Sequence, residues 1–216
     1  MKATIIGSGI GGISAAIRLR NKGFDVSVYE KNNNPGGKLN TFKVGDYRFD
    51  AGPSLFTMPS LVDDLFKISG ENPRNYFNYK KKEIHCKYYW DDGMKFTAYS
   101  DRKKFLNEAQ KKFKVDRKVI SKYFLKAKRK YELTENIFLK KSLHKLSTYT
   151  NMDTLKAMFQ LHLFQINQTL NKVNSNELKN DYLVQIFNRY ATYNGSSPYK
   201  TPGMMTLIQH LANNYG

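Results

Sequence analysis

The first residues of the chain that could do chemistry are glycines grouped within six positions. Gly7, Gly9 and Gly12 follow a short apolar run at residues 3–6 and precede a segment with helical spacing. In that order they permit a tight strand-to-helix turn, close approach of backbone to a pyrophosphate, and close packing of helix on strand. The free N–H groups and the positive dipole end at the start of such a helix attract phosphate. The pattern therefore predicts a nucleotide-binding loop.

One carboxylate strengthens this interpretation. Glu30 ends the next apolar run, residues 24–29, and lies 23 positions after Gly7. At the tip of a second strand, a carboxylate can accept hydrogen bonds from both ribose hydroxyls of a dinucleotide, and it repels a 2'-phosphate. The spacing therefore argues against NADP. The alternative, a glycine-rich turn that serves packing alone, does not explain Glu30.

Three elements must position these groups. The pattern predicts a strand at residues 3–6, a helix at residues 10–21 that ends at Gly23, and a second strand at residues 24–29. A strand, helix and strand in this order form the start of an α/β fold with a parallel sheet. In an ordinary NAD domain a second crossover helix would follow, whereas residues 31–38 are turn material.

The turn carries the first of three motifs that resemble a known family. Pro35-Gly-Gly-Lys38 resembles the glycine pair of amine-oxidase-like flavoproteins, and residues 49–59, Phe-Asp-Ala-Gly-Pro-Ser-Leu-Phe-Thr-Met-Pro, resemble phytoene desaturase and related carotenoid desaturases. Residues 190–202 continue the resemblance. Within the family, the sequence of residues 49–59 is more similar to the 3,4-desaturases of hydroxylated carotenoids than to the enzymes that start from phytoene.

The resemblance implies FAD bound in an extended form. It assigns residues 7–12 to the pyrophosphate, Glu30 to the adenosine ribose, residues 36–38 to the turn beside the phosphates and residues 52–54 to the flavin ring. Lys38 stands where the family usually has arginine, so it keeps the charge and loses the bidentate fork. From the residues alone, Gly52 and Pro53 indicate a plain turn. The full set of predicted cofactor residues is Gly7, Ser8, Gly9, Gly11, Gly12, Glu30, Lys31, Gly36, Gly37, Lys38, Gly52, Pro53 and Ser54.

The same resemblance predicts an incomplete Rossmann-like FAD/NAD(P)-binding domain with an inserted, mostly helical substrate or membrane region. We expect the first part of the FAD domain at residues 1–70, a β-hairpin segment of the substrate domain at 71–100 and a helical region at 101–216. Family members complete the flavin site near their C-terminus, and nothing after Asn194 supplies that motif. The expectation is a truncated chain that is inactive alone, and the reading frame beyond Gly216 would test it.

The reaction implied by the resemblance is FAD-dependent desaturation of a carotenoid. A hydride passes from an allylic carbon to flavin N5 and a proton leaves the neighbouring carbon. No sequence argument identifies the base: Asp50 lies near the flavin motif, and for Arg189 and Tyr190 packing is the simpler role. The alternatives are another amine-oxidase-like flavin oxidoreductase, or a truncated nucleotide-binding chain without activity.

Charge points to a second kind of partner. The chain has a net charge of +18, and residues 101–145 hold 16 lysines and arginines against 5 acidic residues. Anionic lipid headgroups, nucleic acid or a lysine-rich proteome could each account for this surplus. The pattern predicts helices at residues 101–113 with a Ser100 cap, at 116–141 and at 153–173.

The third predicted helix has too many apolar residues for one narrow stripe. Such a helix is usually core, although it could also lie in a bilayer interface or line a tunnel for an apolar substrate. With the basic stretch it predicts peripheral association with anionic lipids at the inner face of the cytoplasmic membrane. No segment reaches the length of a membrane span, and Met1-Lys2 leads directly into the first strand without room for a leader peptide.

Two other classes of ligand have little support. Tyr88, Tyr89 and Trp90 beside residues 80–82 could stack on nucleic acid, but Asp91-Asp-Gly93 signals a hairpin, so these aromatics are expected to cover a sheet. Cys86 is the single cysteine, and the four histidines show no metal-binding spacing. We therefore expect neither nucleic acid nor a metal ion as a partner.

Overall fold

The computed structural model describes residues 1–53, 56–139, 141–142, 144–150 and 152–215. They form two compact units, Met1–Lys80 and Lys81–Tyr215. The predicted domain boundaries at residues 70 and 100 stay a prediction.

The first unit begins with a strand, a helix and a strand. These are β1 (Lys2–Ile6), α1 (Ile10–Asn21) and β2 (Asp25–Tyr29), and the two strands pair in parallel with Ala3 opposite Val26. Gly23 has a φ of 84°, which lets the chain turn out of the helix into β2. The predicted start of an α/β fold is confirmed.

A hairpin and a second helix complete the first unit. Strands β3 (Asn40–Val44) and β4 (Tyr47–Ala51) pair antiparallel, and α2 (Ser60–Ile68) follows. The rings of Phe42 and Phe49 stack across the hairpin with their centroids 5.3 Å apart. The sequence predicted no hairpin at residues 40–51.

The second unit is a hairpin followed by helices. The hairpin consists of β5 (Ile84–Tyr89) and β6 (Lys95–Tyr99), as predicted. A π-helical turn, Glu135–Leu139, extends the fourth helix of the chain. The helices described in this unit are α3 (Arg102–Phe113), α4 (Arg117–Thr134), α5 (Met152–Phe159), α6 (Leu170–Leu178), α7 (Asp181–Asn188) and α8 (Leu207–Tyr215).

An aromatic core joins the hairpin to the helices. The Phe96 ring of β6 lies 4.8 Å from the Phe113 ring of α3 and 5.3 Å from the Phe105 ring, between centroids. Tyr123 of α4 and Phe187 of α7 continue the cluster at 4.9 Å. All five side chains are buried. Offset and edge-to-face aromatic pairs stabilise a core beyond the burial of their area, so this cluster holds four elements in one packing unit.

The aromatic residues at the end of β5 and directly after it divide between the core and the surface. Tyr88 and Trp90 are half-buried against the core, and the Trp90 indole donates a hydrogen bond to Gln185 Oε1 at 2.7 Å. Tyr89 is 67% exposed. The expectation that these aromatics cover a sheet therefore holds for Tyr88 and Trp90, and it is wrong for Tyr89.

The cap of α3 differs from the expectation. Asp101, not Ser100, is the N-cap, and its carboxylate accepts a hydrogen bond from the Lys104 backbone N–H at 2.7 Å. The Ser100 hydroxyl instead donates to the Lys82 carbonyl oxygen at 2.6 Å. An aspartate at this position also interacts favourably with the positive end of the helix dipole.

The predicted helix at residues 153–173 is wrong as a single element. Helix α5 ends at Phe159, a 3-10 turn occupies Leu161–Phe164, and α6 begins at Leu170. Gln165 has a left-handed backbone, with a φ of 50°, which ends the helical path. Thr169 then caps α6, since its hydroxyl accepts from the Lys172 N–H at 3.2 Å. The apolar residues are too many for one stripe because they belong to separate elements.

A buried lysine ties three segments of the second unit together. Lys130 of α4 is 2% exposed, and its ammonium donates to Gln165 Oε1 at 2.7 Å, to Thr206 Oγ1 at 2.8 Å and to the Gly203 carbonyl at 3.2 Å. All three donors are thus satisfied by neutral acceptors. Burial lowers the pKa of Lys130 to about 8, because the charged form loses its hydration.

The lowered pKa of Lys130 should make the free energy of unfolding depend on pH. Between about pH 7.5 and 9.5 the unfolded chain keeps its proton while folded Lys130 loses it, so stability rises with pH. The free energy of unfolding of the unmodified chain should gain about 2 kcal/mol over a Lys130→Met variant across this range. Denaturant unfolding at several pH values measures the difference. Lys103→Met, on the exposed start of α3, serves as the control, and a Lys130→Met difference that is constant with pH would contradict the interpretation.

Candidate nucleotide-binding site

The loop between β1 and α1 needs glycine at two positions for its own folding. Gly7 has a φ of 95°, and its N–H donates to the Tyr29 carbonyl at 2.7 Å, which ties the loop to the end of β2. A Cβ atom at Gly12 would lie 2.0 Å from the Gly7 carbonyl oxygen and 3.5 Å from Ile5 Cγ2. The first turn of α1 therefore packs directly on the backbone of the loop.

Two other glycines of the loop have room for a Cβ atom. A Cβ atom at Gly9 would meet the Gly37 Cα at 3.9 Å, an ordinary contact, and one at Gly11 would meet no described atom within 4 Å. Gly9 is the N-cap of α1, where no side chain accepts from the first turn and no acidic residue lies within it. The N–H groups at this helix start lack intrahelical partners, and they form the positive end of the helix dipole. The loop leaves room there for an anionic group.

The turn at residues 36–38 packs against this loop. The Gly36 N–H donates to the Ser8 carbonyl at 2.9 Å, and Gly9 and Gly36 form an isolated parallel bridge. Gly37 has a φ of 62°, and a Cβ atom there would lie 3.1 Å from the Gly9 Cα. The structure thus brings the two predicted glycine motifs into backbone contact, while the side chain of Lys38 is exposed.

The end of β4 approaches the same turn. A Cβ atom at Gly52 would lie 2.1 Å from the Lys38 carbonyl oxygen, so no side chain fits between them. Pro53 and Lys31 are exposed. Ser54, which was also predicted to bind the cofactor, lies outside the described residues. Three segments separated in the sequence, residues 7–12, 36–38 and 52, therefore meet through their backbones.

The Glu30 carboxylate accepts hydrogen bonds from the loop after β1 and from the turn that follows β2. Oε2 accepts from the Ser8 N–H at 2.8 Å and the Ser8 hydroxyl at 2.9 Å, and Oε1 accepts from the Asn32 N–H at 3.0 Å and Asn32 Nδ2 at 2.8 Å. The backbone bond from Ser8, followed by that from Asn32, lowers the pKa of Glu30 to about 2. The carboxylate is therefore ionised at neutral pH.

The partners of Glu30 were not found from the sequence. Asn32 was taken as turn material, and Ser8 as a phosphate-binding residue alone. An asparagine two residues after a carboxylate in a turn is the signal that could have indicated such a contact. A carboxylate has about four acceptor positions, so Ser8 and Asn32 use its capacity in this structure.

The rest of the described chain adds little further chemistry. Among the described residues, no group of three or more histidines, cysteines, aspartates or glutamates is placed to hold a metal ion. Within the same residues, no helix combines the length and apolar character needed to cross a bilayer.

Comparisons with known proteins agree with this arrangement. A family model described as an NAD(P)-binding Rossmann-like domain matches residues 5–68. The chain is 50% identical over 210 residues to a 1-hydroxycarotenoid 3,4-desaturase from a Flavobacterium species, which covers 97% of this chain and 43% of the relative. It is 31% identical over 218 residues to a 4,4'-diapolycopene oxygenase from a Methylomonas species, across 100% of this chain and 43% of the relative.

A further relative and two solved structures extend the comparison. A 4,4'-diaponeurosporene oxygenase from Staphylococcus haemolyticus is 30% identical over 216 residues, across 100% of this chain and 42% of the relative. A putrescine oxidase structure aligns with a TM-score of 0.54 at 13% identity, over 95% of this chain and 40% of that one. An oxidoreductase from Methanosarcina mazei gives a TM-score of 0.51 at 13% identity, over 100% of this chain and 44% of that one.

These findings confirm the resemblance to the carotenoid desaturase family and the Rossmann-like fold class. The solved structures support the fold alone, because their sequences are distant. The chain spans about 43% of the length of its curated carotenoid-modifying relatives.

The contrast between neighbouring glycines can be tested by stability. Gly12→Ala should destabilise the chain by roughly 1–3 kcal/mol, because the new Cβ overlaps the Gly7 carbonyl. Gly11→Ala, one position earlier on the exposed side of α1, should be neutral or stabilise the helix by roughly 0.5–1 kcal/mol. Chemical unfolding of both variants measures this, and equal losses at the two positions would show that the helix is packed differently.

Proposed function

We propose that the chain supplies the adenine-dinucleotide part of an FAD-dependent oxidoreductase. The observation that carries this proposal is the meeting of residues 7–12, 36–38 and 52 in front of the uncapped start of α1, next to an ionised Glu30. The N-terminal half of such a site needs backbone N–H groups for phosphate and a carboxylate for the ribose. The described residues offer both, provided that a ribose hydroxyl replaces Asn32 at Glu30 Oε1.

Each residue has a proposed role toward the cofactor. Gly7, Ser8, Gly9, Gly11 and Gly12 form the loop that receives the pyrophosphate, and Glu30 receives the adenosine ribose. The donors are the N–H groups at the start of α1, because those of Gly7 and Ser8 already bond to Tyr29 and Glu30. Lys31 and Lys38 supply positive charge near the phosphates, since both side chains are exposed beside the turn that packs on the loop. Gly52, Pro53 and Ser54 are assigned to the flavin side by the family motif alone.

The proposed reaction is the desaturation of a carotenoid. This rests on the relatives: the 50% identity to a 1-hydroxycarotenoid 3,4-desaturase exceeds the 30% and 31% identities to the two carotenoid oxygenases. A hydroxylated carotenoid is therefore favoured as the substrate. Bound FAD would supply the oxidation by accepting a hydride from an allylic carbon of the polyene. The protein's part is to orient an apolar chain that offers no charged group to hold.

The cofactor assignment can be tested with matched charge variants. The full-length protein should bind FAD with a flavin absorbance, and Glu30→Gln should weaken binding by roughly 1–3 kcal/mol, because charge-assisted hydrogen bonds are lost. Asp25→Asn, which removes one exposed charge at the start of β2, is the control and should leave the affinity unchanged. Titration with FAD and with NAD measures both. Tight NAD binding without flavin binding would contradict the proposal.

A second variant separates ligand approach from folding. A methyl group at Gly9 meets no described atom closer than 3.9 Å, so Gly9→Ala should fold normally. If backbone must contact phosphate at this position, the same variant loses most of its FAD affinity. An unchanged affinity would move the pyrophosphate away from this loop.

We also propose that the protein associates with the cytoplasmic face of a membrane. Carotenoids are insoluble in water, so an enzyme must withdraw them from a bilayer. The basic stretch at residues 101–145 is followed by apolar side chains that are more than half exposed. These are Leu146, Tyr149, Met152, Phe159, Leu161 and Ile166. Apolar insertion and electrostatic attraction together can hold a peripheral protein where either signal alone is weak.

Lipid charge and salt should control this association. The chain should sediment with phosphatidylglycerol vesicles at low salt, less with phosphatidylcholine vesicles, and be partly released as salt shortens the Debye length toward about 8 Å. Phe159→Ser should lower binding to both lipids, while Tyr47→Ser, an equally exposed residue of β4, should not. Equal binding to both vesicle types would leave the positive charge without a role at the membrane.

A further inference from the structure

One side of α4 carries four cations within about two turns. Lys122, Lys126, Arg129 and Lys130 follow the spacing of a single helix face, where apolar residues or alternating charges usually stand. Like charges four residues apart destabilise a helix. Lys128 shows the usual arrangement elsewhere on α4, because its ammonium lies 3.5 Å from Glu132 one turn later. Repulsion among the four cations therefore destabilises α4 unless an anion lies close to them.

The described partners of these cations are mostly neutral. Lys126 pairs with Glu177 at 2.9 Å. Arg129 donates from Nε and Nη2 to Gln160 Oε1 at 3.2 and 3.1 Å, and Lys130 is bound by uncharged acceptors. Among the described partners, one carboxylate thus serves four positive charges: that of Glu177, whose Oε1 also accepts from Gln165 Nε2 at 3.3 Å.

The four cations line an open cavity of about 400 Å³. Its remaining wall is formed by Leu125 of α4 and by residues of the segment after α5, and none of the described lining residues is a carboxylate. The wall residues beyond the cations are Leu125, His162, Leu163 and Gln165. The volume falls in the range of small-ligand sites. The cavity therefore offers space, positive charge and hydrogen-bond donors together.

Apolar side chains in or next to the cavity-lining segments are exposed. Leu125 is 57% exposed, and Leu161 and Ile166, on either side of the wall segment, are 52% and 60% exposed. A cleft for a soluble phosphate compound has no need of apolar side chains at its opening. A phospholipid presents a phosphate and, next to it, acyl chains, so the arrangement of cations inside and apolar groups outside matches a lipid headgroup at a bilayer surface.

We propose that this cleft, formed by Lys122, Lys126, Arg129, Lys130 and His162, binds the phosphate of an anionic phospholipid headgroup. The inference rests on the membrane association proposed above and assigns it to one site. Lys122 and Arg129 are the direct donors, because both side chains are exposed and Arg129 has further N–H groups beyond those bound to Gln160. Lys130 adds charge from the floor, since its three donors are occupied.

A pair of double variants tests the site against general charge. Lys122→Gln with Arg129→Gln removes two cations from the cleft, and Lys103→Gln with Lys111→Gln removes two exposed cations from α3. Both leave the same net charge on the 216-residue chain. Binding to vesicles of phosphatidylglycerol in phosphatidylcholine should fall roughly tenfold or more for the cleft variant and less than about twofold for the α3 variant. Circular dichroism confirms that both remain folded.

Each result has one meaning. A selective loss in the cleft variant supports the headgroup site. Equal losses, or no loss in either variant, overturn it, although the first of these would leave general membrane association intact. Inorganic phosphate provides the third arm: if phosphate raises the melting temperature of the unmodified chain but not of the cleft variant, while vesicle binding is the same for both, the cleft takes a soluble phosphate and the lipid assignment is wrong.

Discussion

Direct contact of backbone with backbone is the constraint on which the first unit depends. Gly12 packs on the Gly7 carbonyl and Gly52 packs on the Lys38 carbonyl, and neither contact leaves room for a Cβ atom. Gly37 packs on the Gly9 Cα, where a Cβ atom would be tightly placed. These contacts fix the loop, the turn and the end of a hairpin against one another. Side-chain burial contributes little, since none of the residues described in α1 is fully buried. The precision of the candidate site therefore comes from glycine and not from side-chain packing.

This constraint explains what the sequence could predict. Glycine identity reports a backbone requirement directly, so the β1–α1–β2 unit and the position of Glu30 followed from residue types and spacing. The contacts of that carboxylate did not, because the donors from Ser8 and Asn32 depend on how two turns meet. For the same reason, motif spacing indicated that residues 36–38 matter but not that Gly36 would bond to the Ser8 carbonyl.

The second unit was less predictable because its elements are decided by distant contacts. Apolar content suggested one helix over residues 153–173, whereas the left-handed Gln165 places its amide against Lys130 of another helix. Such a contact between residues 35 positions apart has no local signal. The hairpin at residues 84–99 was predictable, since its turn and alternating aromatics lie within a few residues of each other. The charge count of residues 101–145 indicated a basic region on α4, but it could not indicate the cavity that those cations line.

The hydrogen bonds at Glu30 make any ligand at that carboxylate a competitor of the protein itself. Because Asn32 already occupies Oε1, a hydroxyl that binds there exchanges one hydrogen bond for another, and its enthalpy gain is the difference between the two. The displaced amide recovers rotational freedom, which offsets part of the order imposed on the newcomer. The same four hydrogen bonds hold the carboxylate ionised between two turns, so its position and its charge are set by the protein itself.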